Sequence, residues 1–243
     1  MPKSNYELAN IGNIKVEVHR GDIKNIHLSV LPPNGRVRLS VPAKTTEQAI
    51  RLAIINKLGW IKKQQADFVK QPRQSVREMV NGECHYLWGQ KCRLSIKETS
   101  GKHAVNVRGD KKLELLVGET TTTDNKLKLL NSFYRDEMQQ AISKIRPDWE
   151  SKLGVKSDAL GIKKMKTKWG SCNIQAKRIW LNLELAKKPI ECMEFILVHE
   201  LVHLLERHHN ERFRFIMDKY MPNWRERRNL LNSLPLAYED WSY

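Results

Sequence analysis

Cysteine is scarce in this chain: four residues among 243, namely Cys84, Cys92, Cys172 and Cys192. None stands in a C-x-x-C pair, which excludes a zinc ribbon and a thioredoxin-type motif. Their density is also too low for a disulfide scaffold, so four reduced thiols in a cytoplasmic protein are expected. Long apolar runs are missing as well. No uncharged stretch approaches the roughly 18–20 residues of a membrane span, so no membrane partner is expected. The first residues, MPKSNYELANIGNIK, lack the apolar centre of a secretory signal. Acidic residues are outnumbered: 27 Asp and Glu face 43 Lys and Arg, a formal net charge of +16. Such an excess draws anions, whether nucleic acid, nucleotides, acidic protein or headgroups, without choosing among them. Disorder is excluded, because seven Trp, five Phe and six Tyr supply bulky core material.

The first half reads as strands. Ile14, Val16 and Val18 alternate with polar residues, the period of a half-buried strand. Two more alternating runs flank Pro32-Pro33-Asn34-Gly35, a hairpin signal that sets Val37, Leu39 and Val41 on the face opposite Arg36, Arg38 and Ser40. Thr45 or Thr46 can cap a helix from Glu47 to about Lys70. Further strand-like pieces follow, with turns at Gly89-Gln90 and Gly109-Asp110, and then a second helix from about Asp124 that Pro147 should end. These signals predict an α+β fold: a twisted antiparallel sheet with one long helix over 1–120, then a mainly helical region over 121–243. No internal repeat is visible.

The chemistry lies in the helix-forming run Pro189 to Phe213, whose helix should cover about 189–208. Within it His199-Glu200-Leu201-Val202-His203 is an H-E-x-x-H. The i, i+4 spacing puts both imidazoles on one helical face, where they can bind one Zn²⁺. Glu200, beside the first, can reach a metal-bound water and act as general base. Catalytic zinc commonly takes a third protein ligand and leaves a position open. His209 supplies it at the metzincin spacing, although Glu206 stands where that pattern has its turn-making glycine. Asn210 tolerates the left-handed conformation such a turn needs. His208, Glu211 and Glu226 are the competing third ligands. Burying His199, Glu200 and His203 without a partner is costly, and a metal removes that cost.

A basic stretch, Lys163 to Arg178, immediately precedes this helix and contains no acid. As an alternating hairpin strand it places Lys164, Lys166 and Lys168 on one face and Met165, Thr167 and Trp169 on the other, with a turn over Gly170 to Lys177. One outcome is a solvated edge that discourages association; the other is an anion-binding rim with Lys166, Lys168, Trp169 and Ser171 as substrate contacts. Downstream, Arg225, Arg227 and Arg228 are most simply solvated.

The segments K-M-K-T-K-W-G-S-C (164–172), I-W-L-N (179–182), V-H-E-L-V-H (198–203) with His209 and Phe213, and M-P-x-W-R (221–225) resemble the YgjP-like metallopeptidase family. Its relatives are the WLM and SprT-like zincins, and the likeness is specific over about 163–232. The resemblance implies a zincin-like catalytic domain, with His199, His203 and His209 as metal ligands and Glu200 as catalytic acid/base. It leaves two substrate classes: peptides, by the family's label, and nucleoside triphosphates, since members are linked to pyrophosphohydrolysis, notably of UTP. A nucleic-acid-binding module with a structural metal is the non-enzymatic alternative, although closed structural sites want four ligands.

Overall fold

The computed structural model describes residues 6–31, 35–70 (backbone only for 67–70), 77–109, 111–165 and 168–235. They fall into two compact units, one within 1–74 and the other within 75–237. Both combine helices with mixed sheets, so the α+β class holds.

The first unit is a sheet of β1 (Glu7–Ile11), β2 (Ile14–Gly21), β3 (His27–Leu31) and β4 (Arg36–Pro42) in the order β1-β2-β4-β3. The expected alternation holds: Val16, Val18, Val37, Leu39 and Val41 are buried, while Arg36, Arg38 and Ser40 take the other face. Ile50, Ile54 and Ile61 from α1 (Glu47–Ile55) and α2 (Leu58–Lys70) complete this core. Thr46 caps α1, its hydroxyl accepting from the Ala49 N–H at 3.3 Å. The single helix expected here is two, because Asn56 ends α1 before α2 begins; asparagine competes with the helix for backbone hydrogen bonds. The antiparallel β3–β4 pairing of the expected hairpin is present, and its turn residues 32–34 lie outside the described residues.

The second unit opens with the same topology. β5 (Cys84–Leu87), β6 (Gln90–Glu98), β7 (Ala104–Arg108) and β8 (Lys112–Val117) form a sheet of order β5-β6-β8-β7. In each sheet two antiparallel hairpins join through their second strands, which run parallel. The N-terminal region is therefore two mixed sheets rather than one antiparallel sheet. An architectural repeat exists where the sequence shows none. The first hairpin turn of this sheet sits at Trp88-Gly89, both with positive φ, one residue before the expected Gly89-Gln90.

The division between compact units falls near residue 75, whereas the sequence suggested about 120. The chain near residue 120 leads directly into a helix: Thr122 caps α3 (Thr123–Leu153), which packs against the β5–β8 sheet through Leu130, Tyr134 and Met138. That helix runs through Pro147, the expected stop, to a left-handed cap at Gly154. An internal proline costs about 3 kcal/mol. Burial of Trp149 and Leu153 beyond it, with Trp149 Nε1 donating to Glu194 at 2.8 Å, offsets that cost.

Last comes a three-stranded sheet of order β10-β11-β9, from β9 (Ala159–Lys163), β10 (Gly170–Asn173) and β11 (Arg178–Asn182). A 3₁₀ turn (Leu183–Lys187) leads into α4 (Ile190–Val202), α5 (Glu211–Tyr220) and α6 (Trp224–Ser233). Strand β10 starts at Gly170, where a turn was expected, and the described part of 164–169 is not a strand. The expected strand faces are thus not seen at Lys164 and Lys168, and Lys166 and Thr167 lie outside the described residues. Arg225 is exposed, as expected, in a surface pair with Asp218, whereas Arg227 is drawn in to Glu194. Among the described residues no helix is long and apolar enough to cross a membrane.

Candidate active site

Helix α4 is buried on most sides through Phe195, Leu197, Val198, Leu201 and Val202. It stops at His203, its C-terminal cap, five residues short of the expected end. The turn that follows uses no left-handed residue among those described. Asn210 is extended rather than left-handed, and its side chain instead caps α5 by accepting from the Phe213 N–H at 3.0 Å. Ending the helix early lets the chain double back, and this return carries His209 to the two histidines of α4.

The three imidazoles converge. The ligating atoms of His199, His203 and His209 all lie within 4.8 Å of one another, and the Nε2 atoms of His199 and His209 are 2.9 Å apart. His203 Nδ1 faces the Glu206 carbonyl at 3.1 Å and donates to it, leaving the Nε2 lone pair for the cluster. The Phe213 ring touches all three at centroid distances of 5.0, 4.9 and 4.8 Å, fixing their planes on one side. Burial pulls the His199 imidazole down to about 3, with His203 and His209 adding to the effect. Burial also lowers His203. Three imidazoles converging on one point are the donor set a transition-metal ion requires, so these residues fit a metal. Among the described residues this is the one such group; His208, Glu211 and Glu226 are not part of it.

Glu200 is 5% exposed and lies against β10, in contact with Gly170. Burial pushes its carboxyl up to about 7, and the Lys168 charge works against that rise. Burial raises the Cys172 thiol to about 11, with Glu200 contributing. Gly170 and Cys172 thus border Glu200, and strand alternation turns Ser171 to the other face of β10. Trp169 is half-buried beneath the Lys188 ammonium, 5.8 Å from its ring. Of the proposed substrate contacts, then, Lys168 stands near Glu200, Ser171 points away, and Lys166 lies outside the described residues.

Two residues that sequence reasoning missed hold this arrangement. Gly170 matters because it has no side chain. Asn182, at the end of β11, uses its whole side chain on one loop and one turn. Its Nδ2 donates to the carbonyls of Met165 (2.9 Å) and Lys168 (2.8 Å). Its Oδ1 accepts from the N–H groups of Met165 (3.3 Å) and Glu184 (3.2 Å). The available signal was the asparagine closing the I-W-L-N strand, a residue type that bonds nearby backbone.

The sequence model of the YgjP-like metallopeptidase domain matches residues 24–234, spanning both compact units. The chain belongs to the YgjP-like metallopeptidase family. Membership makes this YgjP-like protein a metal-dependent hydrolase, in keeping with the histidine cluster. Among solved structures it is similar to the metallopeptidase zymogen abylysin of Pyrococcus abyssi, at 21% identity over 37% of this chain and 90% of that one, with a TM-score of 0.35. No curated protein matches it.

Proposed function

We propose that this YgjP-like protein is a zinc-dependent peptidase in which His199, His203 and His209 hold the metal and Glu200 is the general base. The observation that carries the reading is the convergence of three imidazoles, the first of them on the helix that also carries the buried Glu200 and the second at its cap. Three nitrogen donors with a position left open suit catalytic zinc. Zinc held there supplies a Lewis acid that polarises a substrate oxygen and lowers the pKa of water. The Glu200 carboxylate takes the proton of the attacking water and returns it to the leaving amine nitrogen. Gly170 to Asn173 form an edge strand, whose unpaired backbone groups suit an extended peptide. The free cysteines suit a reducing, cytoplasmic setting.

A second reading is favoured by Lys168, whose charge acts directly on Glu200. A cation there suits an anionic substrate, and the same constellation would hydrolyse a nucleoside triphosphate such as UTP to its monophosphate and pyrophosphate.

The test is a panel of unstructured peptides and nucleoside triphosphates, offered to zinc-loaded parent and Glu200→Gln protein. Peptide fragments from the parent, with turnover reduced about 10²–10⁴-fold in the variant at unchanged zinc content and Tm, are expected. Pyrophosphate without fragments would establish the second reading. Full activity in Glu200→Gln would remove that residue from the mechanism.

A further inference from the structure

The solvent face of the β5–β6–β8–β7 sheet carries a row of positive charge remote in sequence from the histidine cluster. Strand register sets Arg93 on β6 opposite Lys112 on β8, and Lys112 opposite Arg108 on β7. Paired residues share a face, so three cations stand side by side across about 10 Å, two strand spacings. The adjoining residues Leu94, Leu113 and Leu115 point the other way, into the core. Lys111 adds a fourth charge just before β8. All four cations are exposed, and with Asn81 and Ser95 they line a groove of about 590 Å³.

Like charges directly opposite on neighbouring strands are destabilising. This sheet does little to relieve them. Glu114, two residues along β8, is occupied by Lys97 at 2.7 Å and Arg108 at 3.2 Å. Arg93, Lys111 and Lys112 make no ion pair among the described residues. Among the described residues the row thus carries uncompensated positive charge on an open surface, which a ligand with negative charge would meet.

We propose that this groove binds the phosphodiester backbone of a nucleic acid. The cation row is longer than one phosphate and suits several in series. Among the described residues no aromatic side chain lines the groove, which favours contact to the backbone without base stacking or sequence reading. The chain's net charge of +16 favours the approach of such a polyanion. The site shares no residue with the histidine cluster and does not depend on the proposed peptidase activity.

The test uses the full chain and labelled single-stranded and duplex oligonucleotides, with anisotropy followed across a salt series. The triple variant Arg93→Gln, Lys111→Gln, Lys112→Gln keeps the Arg108–Glu114–Lys97 pairing. A control triple, Lys102→Gln, Lys128→Gln, Lys144→Gln, removes the same charge at exposed positions elsewhere in the unit. The groove triple should weaken binding at least about tenfold near 0.1 M salt and flatten the log K against log salt slope by about 2 to 3. The control triple should do much less. Equal losses in the two triples would overturn the proposal in favour of overall charge. So would a parent that binds no oligonucleotide, or one in which inorganic tripolyphosphate competes as well as the oligonucleotide does, phosphate for phosphate. Thermal melts establish folding; if the groove triple fails to fold, Lys112→Gln alone should flatten the slope by about 0.9, and an unchanged slope overturns the proposal.

Discussion

Gly170 lies directly against the Glu200 carboxyl: a Cβ at position 170 would stand 2.5 Å from Oε1 and 2.8 Å from Cγ. The strand backbone therefore approaches α4 more closely than any side chain permits, and the edge of β10 meets the carboxyl that sequence spacing ties to the histidines. Gly170→Ala must displace Glu200. Misplacement by about 1 Å can cost about 10² in rate. We expect kcat to fall by about that factor with KM and zinc content near those of the parent. An unchanged kcat would mean that Glu200 tolerates the displacement and that the close approach has no part in turnover.

Asn182 is buried and spends two donors and two acceptors on backbone that the sheet does not pair. Asn182→Ala strands those groups, and buried unpaired polar groups cost about 1–3 kcal/mol each. Urea unfolding should show a loss of at least about 1–3 kcal/mol, the cost of a single group that water cannot reach, and limited proteolysis should find new cleavage between Lys163 and Trp169. A loss under about 0.5 kcal/mol, the range of ordinary surface substitutions, would show the loop is held by something else.

Removing metal should lower stability, because the three imidazoles converge only in the folded chain. A ligand present at 100 times its Kd stabilises by about 2.7 kcal/mol. Chelation should therefore lower Tm, and zinc should restore it at one ion per chain. In His209→Ala that restoring effect should shrink strongly. A Tm indifferent to chelator and zinc would argue against a metal at this cluster.

Acid stability should depend on His85. Burial and the Arg77 charge hold its imidazole down at about 4 from its ordinary 6.5, while Glu83 at 3.3 Å works the other way. Between those two values the unfolded chain binds the proton that the folded chain refuses, so stability rises with pH across this window. The contribution is complete above about 6.5 and lost as pH falls toward 4, with an upper bound of about 3 kcal/mol. Urea melts of metal-free parent and His85→Gln from pH 4 to 7.5 should differ in acid slope, the variant being flatter. Parallel curves would show that His85 does not titrate in this range.

By itself the sequence determined the features governed by local geometry. A helix repeats every 3.6 residues, so His199, Glu200 and His203 were bound to share one turn. Pleating alternates side chains, so Val37, Leu39 and Val41 were bound to face a core. A cap needed only a hydroxyl three residues before an orphan N–H, which Thr45 and Thr46 both offered and Thr46 supplies. Tertiary structure alone decided what depends on a distant partner. Pro147 stays inside α3 because Trp149 finds Glu194, 45 residues away. Gly170 begins a strand because Leu181 pairs with it, and that strand reaches Glu200 because nothing projects from Gly170. The second strands of the paired hairpins run parallel, a choice invisible in hydrophobic period. His209 joins the cluster because α4 stops at His203 and Asn210 caps the next helix. Backbone geometry within a turn or a pleat is written in neighbouring residues; pairing partners and close approaches depend on residues tens of positions apart, whose proximity exists only once the chain has folded.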